Sequence, residues 1–210
     1  MSAGDTLDYA RALPRTEPLA KRVFDIIGAL LAILVFSPLF IIIAIAIRLE
    51  SKGPVLFRQE RYGQGRTRFR IYKFRTMRHE RDAEFRQAVR GDDRITRVGR
   101  VLRRVNLDEL PQLFNVLLGD MSLVGPRPHP IALDEQFGSR IDRYWDRYDV
   151  RPGITGWAQV NGFRGETDTI KKMQLRVLHD LEYLRRRSFW FDIRILLMTL
   201  VSARAYRNAF

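Results

Sequence analysis

Residues 23–47 read VFDIIGALLAILVFSPLFIIIAIAI, 25 positions in which Asp25 is the single charge. A helix needs about 20 apolar residues to cross a bilayer, so this stretch marks a membrane protein and sets the fold of the N-terminal segment. Ser37-Pro38 falls just past its middle. Pro38 has no N–H for the carbonyl of Leu34, and its ring crowds that turn, which predicts a bend. In lipid the freed carbonyl has to be satisfied from within, and the Ser37 hydroxyl is placed to bond back along its own helix. The run exceeds a signal-peptide core, lacks a small-residue cleavage site and resumes after Pro38.

The flanks of this run are basic on both sides: Lys21 and Arg22 precede it, and Arg48, Lys52, Arg58 and Arg61 follow. A spanning helix shows a positive bias at one end only. Of the 37 Lys and Arg residues and the 24 Asp and Glu residues, 33 and 20 lie beyond Ile47, so the globular part belongs in the cytoplasm, where Lys21 and Arg22 also belong. A helix that enters and returns satisfies both ends, and a single-pass helix with a proline kink is the alternative that the residues alone leave open.

Outward from that run, 210 residues allow one globular domain. The absence of cysteine removes disulfides, zinc fingers and thiol nucleophiles. A formal net charge of +13 calls for an anionic partner, which nucleic acid, anionic lipid and phosphorylated substrates all satisfy. The division expected is a mobile segment at 1–20, the membrane helix at 21–48, and a domain at 49–210 ending on an interfacial helix. Residues 54–76 predict two short strands joined by a turn at Gly63 and Gly65, with Lys73 and Arg75 on one face of the second. Helices are expected near 80–90, at 94–104, 111–118, 131–149 and 168–187. The apolar run at 189–201 is too short to span and suits an interfacial helix with Trp190 at the headgroups, or a core helix. His79, His129 and His179 are scattered and read as structural or exposed.

Three stretches can carry chemistry. In Asn106-Leu107-Asp108-Glu109-Leu110-Pro111-Gln112 two acids precede an apolar helix. Asp108 suits an N-cap with Pro111 in the first turn, and the same pair at a helix N-terminus makes a low-pKa anion and a hard-oxygen site for Mg²⁺. In Gly125-Pro126-Arg127-Pro128 two prolines stiffen the backbone around Arg127, which suits phosphate or nucleobase recognition or a plain loop. The turn-rich stretch from Arg151-Pro152-Gly153 through Trp157, Asn161 and Arg164 reads as a substrate loop or a tight structural one.

Taken in order, FSP at 36–38, YKFRTM at 72–77, NLDELPQLFNVLLGDMSLVGPRP at 106–128 and RPGITGWAQVNG at 151–162 resemble the bacterial sugar transferases, the monotopic phosphoglycosyl transferases that initiate capsule, exopolysaccharide and O-antigen assembly. The resemblance runs from about residue 19 to the C-terminus. It implies a mostly α fold with a small β element, a re-entrant helix broken at Ser37-Pro38, amphipathic interfacial helices, and a place on the cytoplasmic face of the bacterial inner membrane. It implies a catalytic dyad at Asp108 and Glu109: the aspartate takes a phosphosugar from a UDP-sugar, releasing UMP, and undecaprenyl phosphate then collects it. It also implies Mg²⁺ on Asp108 and Glu109, a uridine-side motif at Pro126, Arg127 and Pro128, and phosphate-binding cations at Lys73, Arg103 and Arg164. Inner-membrane lipid is an expected partner and nucleic acid is not, while self-association stays open. The stretch NGFRGETDT and the C-terminal YLRRRSFWFDIRILLMT are similar to the hexose branch, which points to glucose or galactose ahead of an N-acetylated sugar. Phe163 stands where many branch members have Trp, and the N-terminal multi-span domain of many is expected to be missing. The rival reading is a membrane-tethered basic module that binds nucleic acid or anionic lipid, with no role for the acidic pair.

Overall fold

The computed structural model describes residues 17–78, 92–165 and 169–201. The expected helix at 80–90, His79 and most of the 1–20 segment lie outside them. Among the described residues, helix predominates and strands are few and short.

The apolar run folds as α1 (Leu19–Glu50), a helix of 32 residues that continues through Pro38. The Ser37 hydroxyl donates to the carbonyl of Leu34 at 2.9 Å, the carbonyl that Pro38 leaves without its helical donor. α1 is long and apolar enough to cross a membrane, and only 11% of its most apolar 18-residue window is buried, so it is not buried as a core helix would be. One face packs on the domain along its whole length: Asp25, Ala29, Ala32, Ile33, Leu39, Phe40, Ile43 and Ile47 recur at helical spacing. The opposite face, with Leu30, Leu34, Val35, Ile41 and Ile42, is exposed and apolar.

Both ends of α1 are tied to the same body. At the N-terminal end Arg22 donates to the carbonyls of Val116 and Leu117 at 2.6 and 2.9 Å. Lys21 bridges Asp25 and Asp192 at 2.9 Å each, and the Leu123 amide donates to Asp25 at 3.2 Å. At the other end Arg75 donates to the carbonyls of Lys52 and Ser51 at 2.8 and 2.7 Å. Glu50 accepts the amides of Arg97 and Val98 at 2.7 and 3.0 Å.

The predicted hairpin forms from β1 (Leu56–Tyr62) and β2 (Arg68–Phe74), antiparallel in the register Phe57 to Lys73 and Tyr62 to Arg68. Lys73 and Arg75 part company, because the strand ends at Phe74: Arg75 turns to cap α1 and Lys73 reaches an acid described below. Helices α2 (Arg97–Arg104) and α3 (Gln112–Leu118) follow. Thr96 caps α2 by accepting the Gly99 amide at 2.9 Å, and Gly119 closes α3 with φ 94°. Asn115 of α3 grips the outer edge of β2, accepting the Tyr72 amide at 2.9 Å and donating to the Arg70 carbonyl at 2.8 Å.

Two strands were not anticipated. β3 (Ser122–Val124) and β4 (Gly153–Thr155) form a short parallel pair, Ser122 beside Gly153 and Val124 beside Thr155. A Cβ on Gly153 would fall on the backbone of Gly125, so this close approach demands the glycines that begin and end the two proline-rich motifs.

The single helix expected over 131–149 is broken. α4 (Ile131–Gly138) stops where Gly138 lies under the Trp145 ring with no room for a Cβ. Arg143 then takes φ 57°, and a 3-10 turn, Tyr144–Asp149, carries Tyr144, Arg147 and Tyr148 back into the core. α5 (Trp157–Val160), α6 (Ile170–Arg186) and α7 (Phe189–Val201) complete the chain. α7 places Phe191 and Ile195 in the core, while Trp190, Leu197 and Leu200 are exposed.

Candidate active site

Asn106 enters the left-handed region with φ 60°, a conformation Asn tolerates well, and turns the chain into the 3-10 turn Leu107–Glu109. Asp108 and Glu109 lie in that turn and are both buried. The capping role anticipated for Asp108 is not realised, because Pro111 occupies the N-cap of α3 and no side chain caps it.

Glu109 sits in a cage of three cations from three other elements. Lys73, at the end of β2, donates to Oε1 at 2.9 Å. Arg127, just beyond β3, donates to Oε1 at 2.5 Å and to Oε2 at 3.0 Å. Arg164, from the turn after α5, pairs with Oε2 at 3.0 Å. Each oxygen therefore meets two N–H groups. Burial alone would push this carboxyl up, but Arg127, Lys73 and Arg164 outweigh it and hold Glu109 well below its ordinary value.

Asp108 is the opposite case. Among the described residues no hydrogen bond or ion pair reaches its carboxylate. Burial pushes its carboxyl up and the charge on Glu109 adds to that, while Lys73, Arg164 and Arg103 pull it down without cancelling the rise. The low-pKa anion expected at this helix start is therefore Glu109 alone, and the cause is the cation cage rather than the helix. Two adjacent carboxylates with diverging proton affinities are the pattern by which an active site divides roles.

Four of the anticipated residues, Lys73, Glu109, Arg127 and Arg164, converge by direct contact, with Asp108 beside them. Arg103 does not touch either acid: its Nε donates to the Thr76 hydroxyl at 3.0 Å and its guanidinium packs on the Met77 sulfur. Pro126 and Pro128 contribute backbone, their carbonyls accepting the Gly153 amide at 2.9 Å and Arg61 at 3.3 Å. Trp157 and Asn161 build the loop that carries Arg164: the indole donates to Glu182 at 2.8 Å and Asn161 donates to the Trp157 carbonyl at 2.8 Å.

Arg61, Arg147 and Arg176 are also buried, and the sequence marks none of them as a site residue. Arg61 reads in the sequence only as a basic flank of the apolar run, and no single-sequence signal separates Arg147 and Arg176 from the other arginines.

The donor set fits a magnesium ion only in part. Mg²⁺ takes one or two carboxylates, waters and substrate phosphates. Asp108 has lone pairs open to it, whereas both oxygens of Glu109 are engaged. Among the described residues no group of three or more His, Cys, Asp or Glu forms a complete metal site, so any ion here depends on oxygens brought by substrate.

Residues 16–205 match the family described as bacterial sugar transferase. The UDP-glucose:undecaprenyl-phosphate glucose-1-phosphate transferase of Escherichia coli (strain K12) is 49% identical over 203 residues, 96% of this chain and 44% of its own length. The protein of the same name from Caulobacter vibrioides is 50% identical over 207 residues, 98% of this chain and 78% of its own. The UDP-N-acetylgalactosamine-undecaprenyl-phosphate N-acetylgalactosaminephosphotransferase of Aeromonas hydrophila is 47% identical over 184 residues, 86% of this chain and 42% of its own. The chain thus spans less than half the length of two of these three relatives.

Proposed function

The chain belongs to the bacterial sugar transferase family, and on that premise we propose that it transfers a hexose-1-phosphate from a UDP-sugar to undecaprenyl phosphate, releasing UMP, through a phosphosugar held on Asp108. The observation that carries the reading is the contrast between the two acids. Glu109 has both oxygens taken and is a poor nucleophile. Asp108, with free lone pairs and a raised proton affinity, is the better one.

In the first step an Asp108 carboxylate oxygen attacks the β-phosphorus of the UDP-sugar. The new O–P bond forms as the bond from that phosphorus to the bridging oxygen breaks, and UMP leaves with the electron pair. An oxygen of undecaprenyl phosphate then attacks the same phosphorus. The acyl-phosphate bond breaks, the Asp108 carboxylate is restored, and undecaprenyl-diphosphate-hexose departs. Glu109 acts as the anchor that gathers Lys73, Arg127 and Arg164 into one positive wall, against which diphosphate oxygens can lie as charge shifts to the leaving group. Mg²⁺, bound by Asp108 together with substrate phosphate oxygens, would neutralise part of the diphosphate charge.

The packing of α1 supports a membrane helix that enters and returns on the cytoplasmic face. A crossing needs about 20 residues free of the domain, yet the longest gap between residues packed on it, Ile33 to Leu39, is roughly 9 Å of helix. Immersing the exposed face of α1, and that of α7 with Trp190, keeps both ends of α1 and the active site on one side. Glucose is the favoured sugar, on the names of the Escherichia and Caulobacter relatives, and the Aeromonas relative keeps an N-acetylated hexose as the second reading.

The test is UMP release by the full chain in nanodiscs, with undecaprenyl phosphate, Mg²⁺ and a panel of UDP-sugars. Release with UDP-glucose that stops in Asp108→Asn is the expected result. Folded protein that releases no UMP from any donor would overturn the proposal.

A further inference from the structure

Arg127 and Arg164 reach Glu109 from two different loops, and a buried polar cluster on the far side of those loops touches both. Arg147, from the turn Tyr144–Asp149, has no exposed side-chain surface. It donates to the carbonyl of Arg127 at 2.7 Å and to Asp180 Oδ2 at 3.1 Å from Nε and 2.7 Å from Nη2. Arg176, from α6, donates to the carbonyls of Phe163 and Gly165 at 2.8 and 2.5 Å, the residues on either side of Arg164. His129 lies between the two guanidiniums, its Nδ1 2.6 Å from Arg147 and its Nε2 3.1 Å from Arg176. Its Nδ1 is also 2.9 Å from the Tyr144 hydroxyl, which donates to Asp134 at 2.7 Å.

We infer that Arg147 and Arg176 are positioning residues: each fixes, through backbone carbonyls, where one of the cations on Glu109 stands, and His129 couples the two. The inference deepens the transferase reading and rests on it for its activity readout. A buried guanidinium is costly unless its donors are paired, and the fork of arginine is what lets Arg176 hold two carbonyls at once, which lysine's single nitrogen on a flexible stem does not reproduce. Burial and the charge of Arg147 keep His129 well below its ordinary value, so the ring is neutral and offers one lone pair to two arginine donors. Displacement of one guanidinium therefore alters the partner of the other.

The test is a pair of double-mutant cycles on the full chain in nanodiscs, read by UMP release. Arg176→Lys alone should lower kcat by ~10-fold or more, as misplaced catalytic groups do, with a much smaller change in KM for UDP-glucose. In an Arg164→Gln background the same change should cost less than about twofold, because the residue it acts through is gone. Arg147→Lys should behave likewise against Arg127→Gln. Arg176→Gln replaces the lysine variant in the cycle if the latter fails to fold. Losses that multiply in the double variants, or wild-type kcat in folded Arg176→Lys, would overturn the inference. Hydrogen exchange over residues 161–165 needs no turnover and should quicken in Arg176→Lys while α6 stays protected; unchanged protection there would also overturn it. An inactive wild-type protein counts instead against the transferase reading, and exchange still decides the positioning role.

Discussion

Arg127 holds Glu109 with both arms of its guanidinium, Nη2 on Oε1 at 2.5 Å and Nη1 on Oε2 at 3.0 Å. That bidentate grip, completed by Lys73 and Arg164, turns one acid of an adjacent pair into the site's anchor and leaves the other, Asp108, open.

Glu109→Gln removes the one carboxylate that three largely buried cations share. The variant should lose roughly 3 kcal/mol, the range for breaking a buried ion pair by one partner, seen as a lower unfolding temperature at neutral pH. Because the Glu109 carboxyl is depressed from its ordinary 4.5, its stabilisation is full above that value and fades as pH falls through the lower folded value. The gap between wild type and variant should therefore narrow in strong acid; a gap independent of pH would contradict the cage.

Asp108 carries the opposite shift, so the acid limb of kcat/KM should lie above its ordinary 3.8. Arg103 helps hold Asp108 ionised through its charge without touching it. Arg103→Gln should move the limb further toward neutrality, and an unmoved limb would remove Arg103 from the site.

The Ser37 bond to Leu34 replaces the donor that Pro38 lacks. Ser37→Ala should cost about 1 kcal/mol in micelles, and almost nothing when Pro38→Ala has restored the backbone N–H. Equal costs in the two backgrounds would show that the hydroxyl does not serve that carbonyl.

The chain has no cysteine, so Leu19→Cys and Lys52→Cys, at exposed positions beside the two ends of α1, report topology cleanly. Both should react with a membrane-impermeant thiol reagent only from the cytoplasmic side. Reaction from opposite sides would establish a spanning helix.

Long-period features were legible in the sequence: the apolar run, the hairpin around Gly63 and Gly65, and α6. The break at Gly138 was not, because it is imposed by Trp145 packing on it and by residues 144–148 turning into the core. Nor were β3 and β4, which at three residues each are too short to show a period in the sequence. In the site, motif chemistry singled out Asp108, Glu109 and Arg127, and the family resemblance added Lys73 and Arg164. Neither divided the acidity within the dyad, since neighbours from distant segments decide which acid is caged. Arg147 and Arg176 stayed hidden among 37 basic residues because burial, not spacing, distinguishes them.

The most direct test of the account is to incubate the nanodisc protein with UDP-glucose labelled in the sugar, without undecaprenyl phosphate, and follow label bound to the chain. Label should accumulate on the protein, map to Asp108, vanish in Asp108→Asn and discharge when undecaprenyl phosphate is added. UMP release with no label retained on the chain, or label mapping to Glu109, would contradict the division of roles between the two acids.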